Sequence, residues 1–277
     1  MGNKQKVAMV GLGIIGKVWA AHYERAGILG ASWNRTPKKD APGFEAKLEE
    51  IPRRVDALHV AVADPSAVEG ILNVILPNLK PGQLVIQSST IDPDSSRRFE
   101  KRVEDKGCHY LEAPFTGSKP AAEEQKTVFY LGGKAELVAF AEPYLKHLSQ
   151  DRFVIGTAAQ AASIKLAMNL QLAIMMEALS ESLTFSRSAG IPDDLYFRVL
   201  EKNAGYSPLA KLKEPKLKAG DYAPQFSIKH MWKDLRLTLA AKVEKKLPLT
   251  EAVEKRFALA SEKGFADSDY SALIRLL

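Results

Sequence analysis

Lys6-Val7-Ala8-Met9-Val10-Gly11-Leu12-Gly13-Ile14-Ile15-Gly16 is the stretch whose reading decides the fold. Lys6 to Val10 reads as a buried strand, and a helix-forming run continues from Gly16 to Ala26. The G-x-G-x-x-G spacing therefore stands in the strand-turn-helix setting that gives it meaning. The first glycine permits a tight turn and the second lets backbone amides approach a pyrophosphate. The third lets helix and strand pack closely at a helix N-terminus that favours anions. A glycine-rich turn that binds nothing has the same six residues; the flanking strand and helix point to a dinucleotide.

The next strand, Gly30 to Trp33, runs into Asn34-Arg35-Thr36-Pro37. A site for NAD places an acid here to hold the ribose 2′-hydroxyl, whereas an arginine can pair its planar fork with a 2′-phosphate. The expectation is NADP(H) in preference to NAD(H), with a solvated loop arginine as the other reading. Leu58 to Ala63 is a continuous apolar run closed by Asp64-Pro65, followed by a helix from Ser66 to Leu76. Leu84 to Gln87 ends in Ser88-Ser89-Thr90, with a helix from Pro93 to Lys106. Successive β-α units describe a parallel sheet whose ligands bind at the carboxyl ends of its strands, where Thr90 falls. Strands over Cys108–Glu112, Thr127–Leu131 and Arg152–Ile155, and a helix over Lys134–Leu148, complete this part. The fold class expected is an α/β N-terminal domain of Rossmann type, a doubly wound parallel sheet over residues 1–156.

From Gly156 onward neither Gly nor Pro interrupts the chain until Gly190 and Pro192. A helix over Thr157–Ala189 would be about 50 Å long at ~1.5 Å per residue, enough to join two bodies. Its only charge between Arg152 and Glu177 is Lys165, and Asn169 lies one turn on, on the same face. One reading has Lys165 snorkelling to water beside an ordinary amide. The other has a proton donor in a dry site with an amide to orient the reacting group. Every later segment reads as helical (Asp193–Lys202, Leu209–Leu217, Met231–Lys245, Thr250–Lys263, Ser271 to the end). The second domain expected is thus all-α over residues 157–277, with 157–189 as the connecting helix.

Two further stretches carry polar chemistry. Ala113-Pro114-Phe115-Thr116-Gly117-Ser118-Lys119-Pro120 can present two hydroxyls and several amides to a carboxylate, or be a plain turn. Phe226-Ser227-Ile228-Lys229-His230-Met231-Trp232-Lys233-Asp234-Leu235 is either a charged helix start in water or part of a site.

With 46% hydrophobic and 26% charged residues over 277 positions, the chain has the composition of a folded soluble protein. The single cysteine, Cys108, excludes an internal disulfide and a thiolate metal cluster, and fits a reducing cytoplasm. The polar start, Met1 to Lys6, is unlike a signal peptide, and Lys165, Asn169 and Gln171 interrupt the long helix, so no membrane is expected. A net charge of +6 is spread along the chain without a nucleic-acid-binding signature. No metal-ligand spacing is present.

Taken together, these motifs resemble the β-hydroxyacid dehydrogenase family, the group of 3-hydroxyisobutyrate dehydrogenase, tartronate semialdehyde reductase and glyoxylate/succinic semialdehyde reductase. The resemblance rests on Gly11 to Gly16, Asp64-Pro65, Ser89-Thr90, Ala113 to Ser118, Lys165-x-x-x-Asn169 and Lys233-Asp234-Leu235, in family order and over nearly the whole chain. Asn34-Arg35-Thr36, Leu111 to Pro114 and the Phe226 to Asp234 stretch look most like the NADPH-using glyoxylate/succinic semialdehyde reductases. The resemblance implies Lys165 as the catalytic lysine, Asn169 as its companion, and Thr116, Gly117 and Ser118 as the substrate-carboxylate loop. It implies Phe226 and Asp234 along the substrate site. Cofactor contacts are implied at Gly11, Gly13, Ile14, Ile15, Gly16, Asn34, Arg35, Thr36, Ala63, Asp64, Thr90 and Lys233.

Four departures stand out. Thr116 replaces the usual serine, Phe115 a smaller aliphatic residue and Gln125 a glycine, and the segment from Pro37 to Val55 is short, as though a helix had been trimmed. The function expected is NADPH-dependent reduction of a small carboxylate-bearing aldehyde by a homodimer or homotetramer. The alternatives are another β-hydroxyacid dehydrogenase, an imine reductase-like enzyme, or a non-catalytic dinucleotide-binding module.

Overall fold

The computed structural model describes residues 5–241 and 244–277. Of the helix expected over Met231–Lys245, Lys242 and Val243 lie outside the described residues, as do Met1 to Lys4 of the polar start. The chain divides into two compact units, Met1–Lys165 and Leu166–Leu277.

In the first unit the elements are β1 (Val7–Val10), α1 (Ile14–Arg25), β2 (Leu29–Trp33), β3 (Ala57–Val60), α2 (Pro65–Ile75), β4 (Leu84–Gln87), α3 (Pro93–Glu104) and β5 (His109–Glu112). Then come β6 (Phe115–Thr116), α4 (Lys119–Glu123), β7 (Val128–Gly132), α5 (Ala135–Leu145) and β8 (Asp151–Gly156). The sheet order is β2-β1-β3-β4-β5-β7-β6, with β8 beside β7. The neighbours from β2 through β5 pair in parallel. The sheet then reverses, since β7 is antiparallel to β5 and to β6. Pro114, which has no amide to donate, stands at the break between β5 and β6. The stretch from Ala113 to Pro120, for which a plain turn stood open, thus holds a short strand and the start of a helix.

Alternate residues of each strand feed opposite faces, and both faces are covered, which is why the strands read as continuous apolar runs. Ala8, Val10, Leu58, Val60 and Val85 pack with Ile71, Leu72, Phe99 and Val103 of α2 and α3. Val7, Met9, Leu84 and Ile86 pack with Trp19, Tyr23, Tyr144 and Leu145 of α1 and α5. Each such side chain contributes roughly 1.5–3 kcal/mol on burial. Between β2 and β3 no α-helix forms: a 3-10 segment, Leu48–Arg54 with Pro52 inside it, makes the crossover in the shortened stretch.

Helix α6 (Ala158–Ser188) runs through the division between the units. By length and composition it is long and apolar enough to cross a membrane, so Lys165, Asn169 and Gln171 do not exclude a span on composition. Part of its apolar surface belongs to protein cores: Ala158 and Ala162 close the first unit's core, and Ala173, Met176 and Leu183 enter that of the second. The second unit also holds α7 (Asp193–Leu200), α8 (Pro208–Ala219), α9 (Ile228–Ala240) and α10 (Pro248–Ala260), and a 3-10 segment over Tyr270–Leu276. Phe197, Leu209, Leu217, Met231, Leu235, Phe257 and Leu273 fill its core.

Candidate active site

In the first unit the glycine turn has the geometry its spacing implies. Gly11 has φ +106°, and a Cβ on it would stand 2.1 Å from the Ala61 carbonyl oxygen. A Cβ on Gly16 would stand 1.9 Å from the Gly11 carbonyl oxygen, so α1 rests directly on the turn. Around Gly13 nothing lies within 4 Å of that position, which leaves the space a ligand backbone needs. Gly13 caps α1 without a side-chain bond and the first turn holds no acid, so no carboxylate there opposes the binding of an anion at this helix end. Ile14 is exposed and Ile15 half-buried. These residues fit a dinucleotide pyrophosphate.

Asn34 accepts a hydrogen bond from the Leu12 amide at 2.9 Å and donates to the Thr36 carbonyl at 2.8 Å, tying the glycine turn to the end of β2. Arg35 and Thr36 are exposed beside it. Ser89 accepts from the Val62 amide at 2.8 Å, joining the ends of β3 and β4, where exposed Ala63 and half-buried Thr90 also lie. The Asp64 carboxylate is occupied in capping α2 through the Ala67 amide.

Thr116 ends β6, and Gly117 and Ser118 follow it. Gly117 has φ +129°, outside the range of ordinary side chains. Ser118 caps α4 without a capping bond from its hydroxyl. Burial pushes up the pKa of the Tyr130 phenol, and Thr116 opposes the rise. Lys165 is 9% exposed, and its ammonium lies 5.9 Å from the centre of the Phe115 ring. Of the two readings of Lys165, the burial excludes a side chain extended into water.

Gln125 also finds its explanation. It has φ +58°, the left-handed region that a glycine enters freely. Its amide reaches buried His22 at 3.3 Å, and His22 Nε2 bonds the Ala122 carbonyl at 2.9 Å. With that nitrogen donating, Nδ1 is left to accept from Arg25 and Gln125. Burial holds the His22 pKa down, the Ala122 bond opposes this, and Arg25 adds to the lowering.

Two buried polar networks lie beneath this surface. Ser88 donates to the Ala113 carbonyl at 2.6 Å, so it accepts from His59 Nε2 at 2.8 Å, and His59 Nδ1 accepts from Tyr23 at 2.8 Å. Burial lowers the His59 pKa to about 3. Glu112 receives bonds from Gln87, Ser96 and Tyr110, each at 2.7 Å, and burial still raises its pKa to about 8.

In the second unit Asn169 and Asp234, both buried, meet: the Asn169 amide donates to Asp234 Oδ2 at 2.5 Å. Lys233 Nζ lies 2.9 Å from the other carboxylate oxygen. Phe226 stacks on His230, with ring centres 6.1 Å apart. His230 bonds Ser227 at 2.8 Å, and burial, then Lys233 and Lys229, lower its pKa.

Asp269, unremarked in the sequence, anchors that segment. Its carboxylate accepts from the Gln225 and Phe226 amides at 3.0 and 3.2 Å and from Lys213 at 2.7 Å, in a fully buried ion pair. The partners are 56 residues apart, and no local pattern announces the pairing. Among the described residues, no group of three or more His, Cys, Asp or Glu is placed to hold a metal ion.

Residues 6–156 match the family model described as the NAD binding domain of 6-phosphogluconate dehydrogenase. Residues 159–277 match that described as the NAD-binding of NADP-dependent 3-hydroxyisobutyrate dehydrogenase. The chain is 30% identical to glyoxylate/succinic semialdehyde reductase 2, chloroplastic, of Arabidopsis thaliana, over 98% of this chain and 79% of the relative. It is 29% identical to glyoxylate/succinic semialdehyde reductase 1 of the same plant, over 97% of each. The crystal structure of 3-hydroxyisobutyrate dehydrogenase from Salmonella typhimurium superposes with a TM-score of 0.88 at 26% identity, covering 99% of this chain and 100% of that one.

Proposed function

Because the chain belongs to the β-hydroxyacid dehydrogenase family of NAD(P)-dependent oxidoreductases, we propose that it reduces small aldehyde or semialdehyde acids, of the glyoxylate or succinic semialdehyde type, to hydroxy acids with NADPH. The observation that carries this reading is Lys165, a buried ammonium and the only charge of α6 before Glu177. The names of the two plant relatives support the substrate class. The absence of an acid at the end of β2, with exposed Arg35 there, supports the 2′-phosphate.

When bound, the reduced nicotinamide supplies a hydride to the carbonyl carbon and is left oxidised. The C=O electron pair then moves onto oxygen, and Lys165 gives that oxygen its proton, completing the alcohol. Low-dielectric surroundings make the ammonium act strongly on the developing negative charge. Thr116, the Gly117 amide and Ser118 hold the substrate carboxylate. Asp234 orients the Asn169 amide, and Lys233 balances the Asp234 charge. Gly11, Gly13 and Gly16 would hold the pyrophosphate of the dinucleotide, and Asn34 ties that turn to the end of β2 beside Arg35.

The likeness to the Salmonella structure supports oxidation of a 3-hydroxy acid as the second reading. Exposed Phe185, Val199 and Leu212 on the second unit support self-association, as a homodimer or homotetramer, measurable by light scattering. Turnover of glyoxylate, succinic semialdehyde and 3-hydroxyisobutyrate with each cofactor tests the assignment. Lys165→Ala is expected to lower kcat by roughly two to four powers of ten, with no rescue in Lys165→Arg, while NADPH affinity changes little. Near-normal turnover by Lys165→Ala would overturn the role.

A further inference from the structure

We propose that Phe115 limits the length of the acid, so that of the two substrate types named above this protein favours the two-carbon one and disfavours the four-carbon one; this rests on the roles given above to Lys165 and to the Thr116 loop. Phe115 directly precedes Thr116, and its ring centre lies 5.9 Å from the Lys165 ammonium. A carbonyl oxygen taking a proton from that ammonium sits about 3 Å from it. The carboxylate of the same molecule is held one residue along the chain from the ring. The carbons joining carboxylate to carbonyl therefore run past Phe115. A two-carbon acid places both groups on adjacent atoms, but each added methylene must be fitted between ring and ammonium.

The ring is backed by packed neighbours. Its backbone is pinned by antiparallel pairing of Phe115 with Phe129. Its edge meets Trp19 at 4.8 Å, and the Phe129 ring lies 6.2 Å away. Trp19 is itself held, stacked on His59 at 4.9 Å and donating to Thr127 at 3.3 Å. Phe115 is thus braced by a buried aromatic cluster on one side and half-exposed on the other. The smaller aliphatic residue usual in the family would leave that volume to the substrate. One methylene fitted or refused in a pocket changes discrimination by about 10- to 200-fold.

The test uses the full-length protein and two variants, Phe115→Val and Phe115→Leu, the second of which keeps most of the packing against Trp19. A thermal shift on adding NADPH certifies that each variant is folded. Two series are measured: kcat/KM for glyoxylate and for succinic semialdehyde with NADPH, and the affinity of the NADP-loaded proteins for oxalate, malonate and succinate. The parent is expected to favour the shorter member of each series. In the folded variants the four-carbon to two-carbon ratio is expected to rise at least 10-fold, more with valine than with leucine. A parent that prefers the four-carbon acid, or ratios unmoved by either substitution, would overturn the proposal. The non-reacting series decides this even if neither aldehyde is turned over, a result that would count against the reductase reading alone.

Discussion

Glu112→Gln changes the pH dependence of stability of the nucleotide-binding unit in a calculable way. Burial raises the Glu112 pKa from 4.5 to about 8, and lowers that of His59 from 6.5 to about 3. For Glu112 the folded state keeps a proton that the unfolded chain has lost. Its contribution is complete below pH 4.5 and declines by about 1.4 kcal/mol per unit as pH rises, about 5 kcal/mol in all by pH 8. For His59 the unfolded chain takes up a proton that the folded state refuses. That contribution is complete above pH 6.5 and is lost as pH falls towards 3, again by about 5 kcal/mol. Between pH 4.5 and 6.5 the two slopes cancel, and from 6.5 to 8 the Glu112 slope alone removes about 2 kcal/mol. In Glu112→Gln the His59 slope is unopposed, so stability rises by about 3 kcal/mol from pH 4.5 to 6.5 and then stays level. Groups other than Glu112 titrate in both proteins, so the difference between the two curves isolates it. Urea unfolding at pH 5, 6.5 and 8, followed by tryptophan emission, to which Trp19 stacked on His59 contributes, gives both curves. Parallel curves between pH 6.5 and 8 would refute the assignment of a protonated, buried Glu112.

Arg35→Asp is expected to lower relative use of NADPH over NADH by at least about 10-fold, since a charge-assisted pair becomes a like-charge contact; steady-state kinetics with each cofactor checks it. The methyl ester of a good substrate is expected to be reduced far more slowly than the acid, because donors aimed at an anion are left unpaired, and equal rates would place carboxylate recognition elsewhere. Asp269→Ala leaves Lys213 buried without its counter-ion and is expected to cost about 3–5 kcal/mol in chemical unfolding of the second unit. Gln125→Gly relieves a left-handed backbone while Gln125→Ala does not, so the glycine variant is expected to be the more stable by about 1 kcal/mol in urea titrations.

The sequence by itself determined the alternation of strands and helices through β5, the glycine turn, the long helix carrying Lys165 and the helical second half. Those features are written in signals a few residues long: strand runs closed by turn residues, glycine spacing, and uninterrupted helix formers. It also marked Phe115, Thr116 and Gln125 as departures without saying what they do. Only the tertiary structure decided that the sheet reverses at β7, that Phe115 is braced by Trp19 beside Lys165, and that Gln125 occupies a left-handed position. The same holds for His59 and Glu112, two titratable residues whose strands gave no sign that they would be sealed at 0% exposure. It holds again for Asp269, whose carboxylate anchors Phe226 from 43 residues away. Local propensity is a property of a window of sequence. Burial and pairing are properties of which distant windows meet, and a desolvated charge acquires its altered proton affinity only when they do.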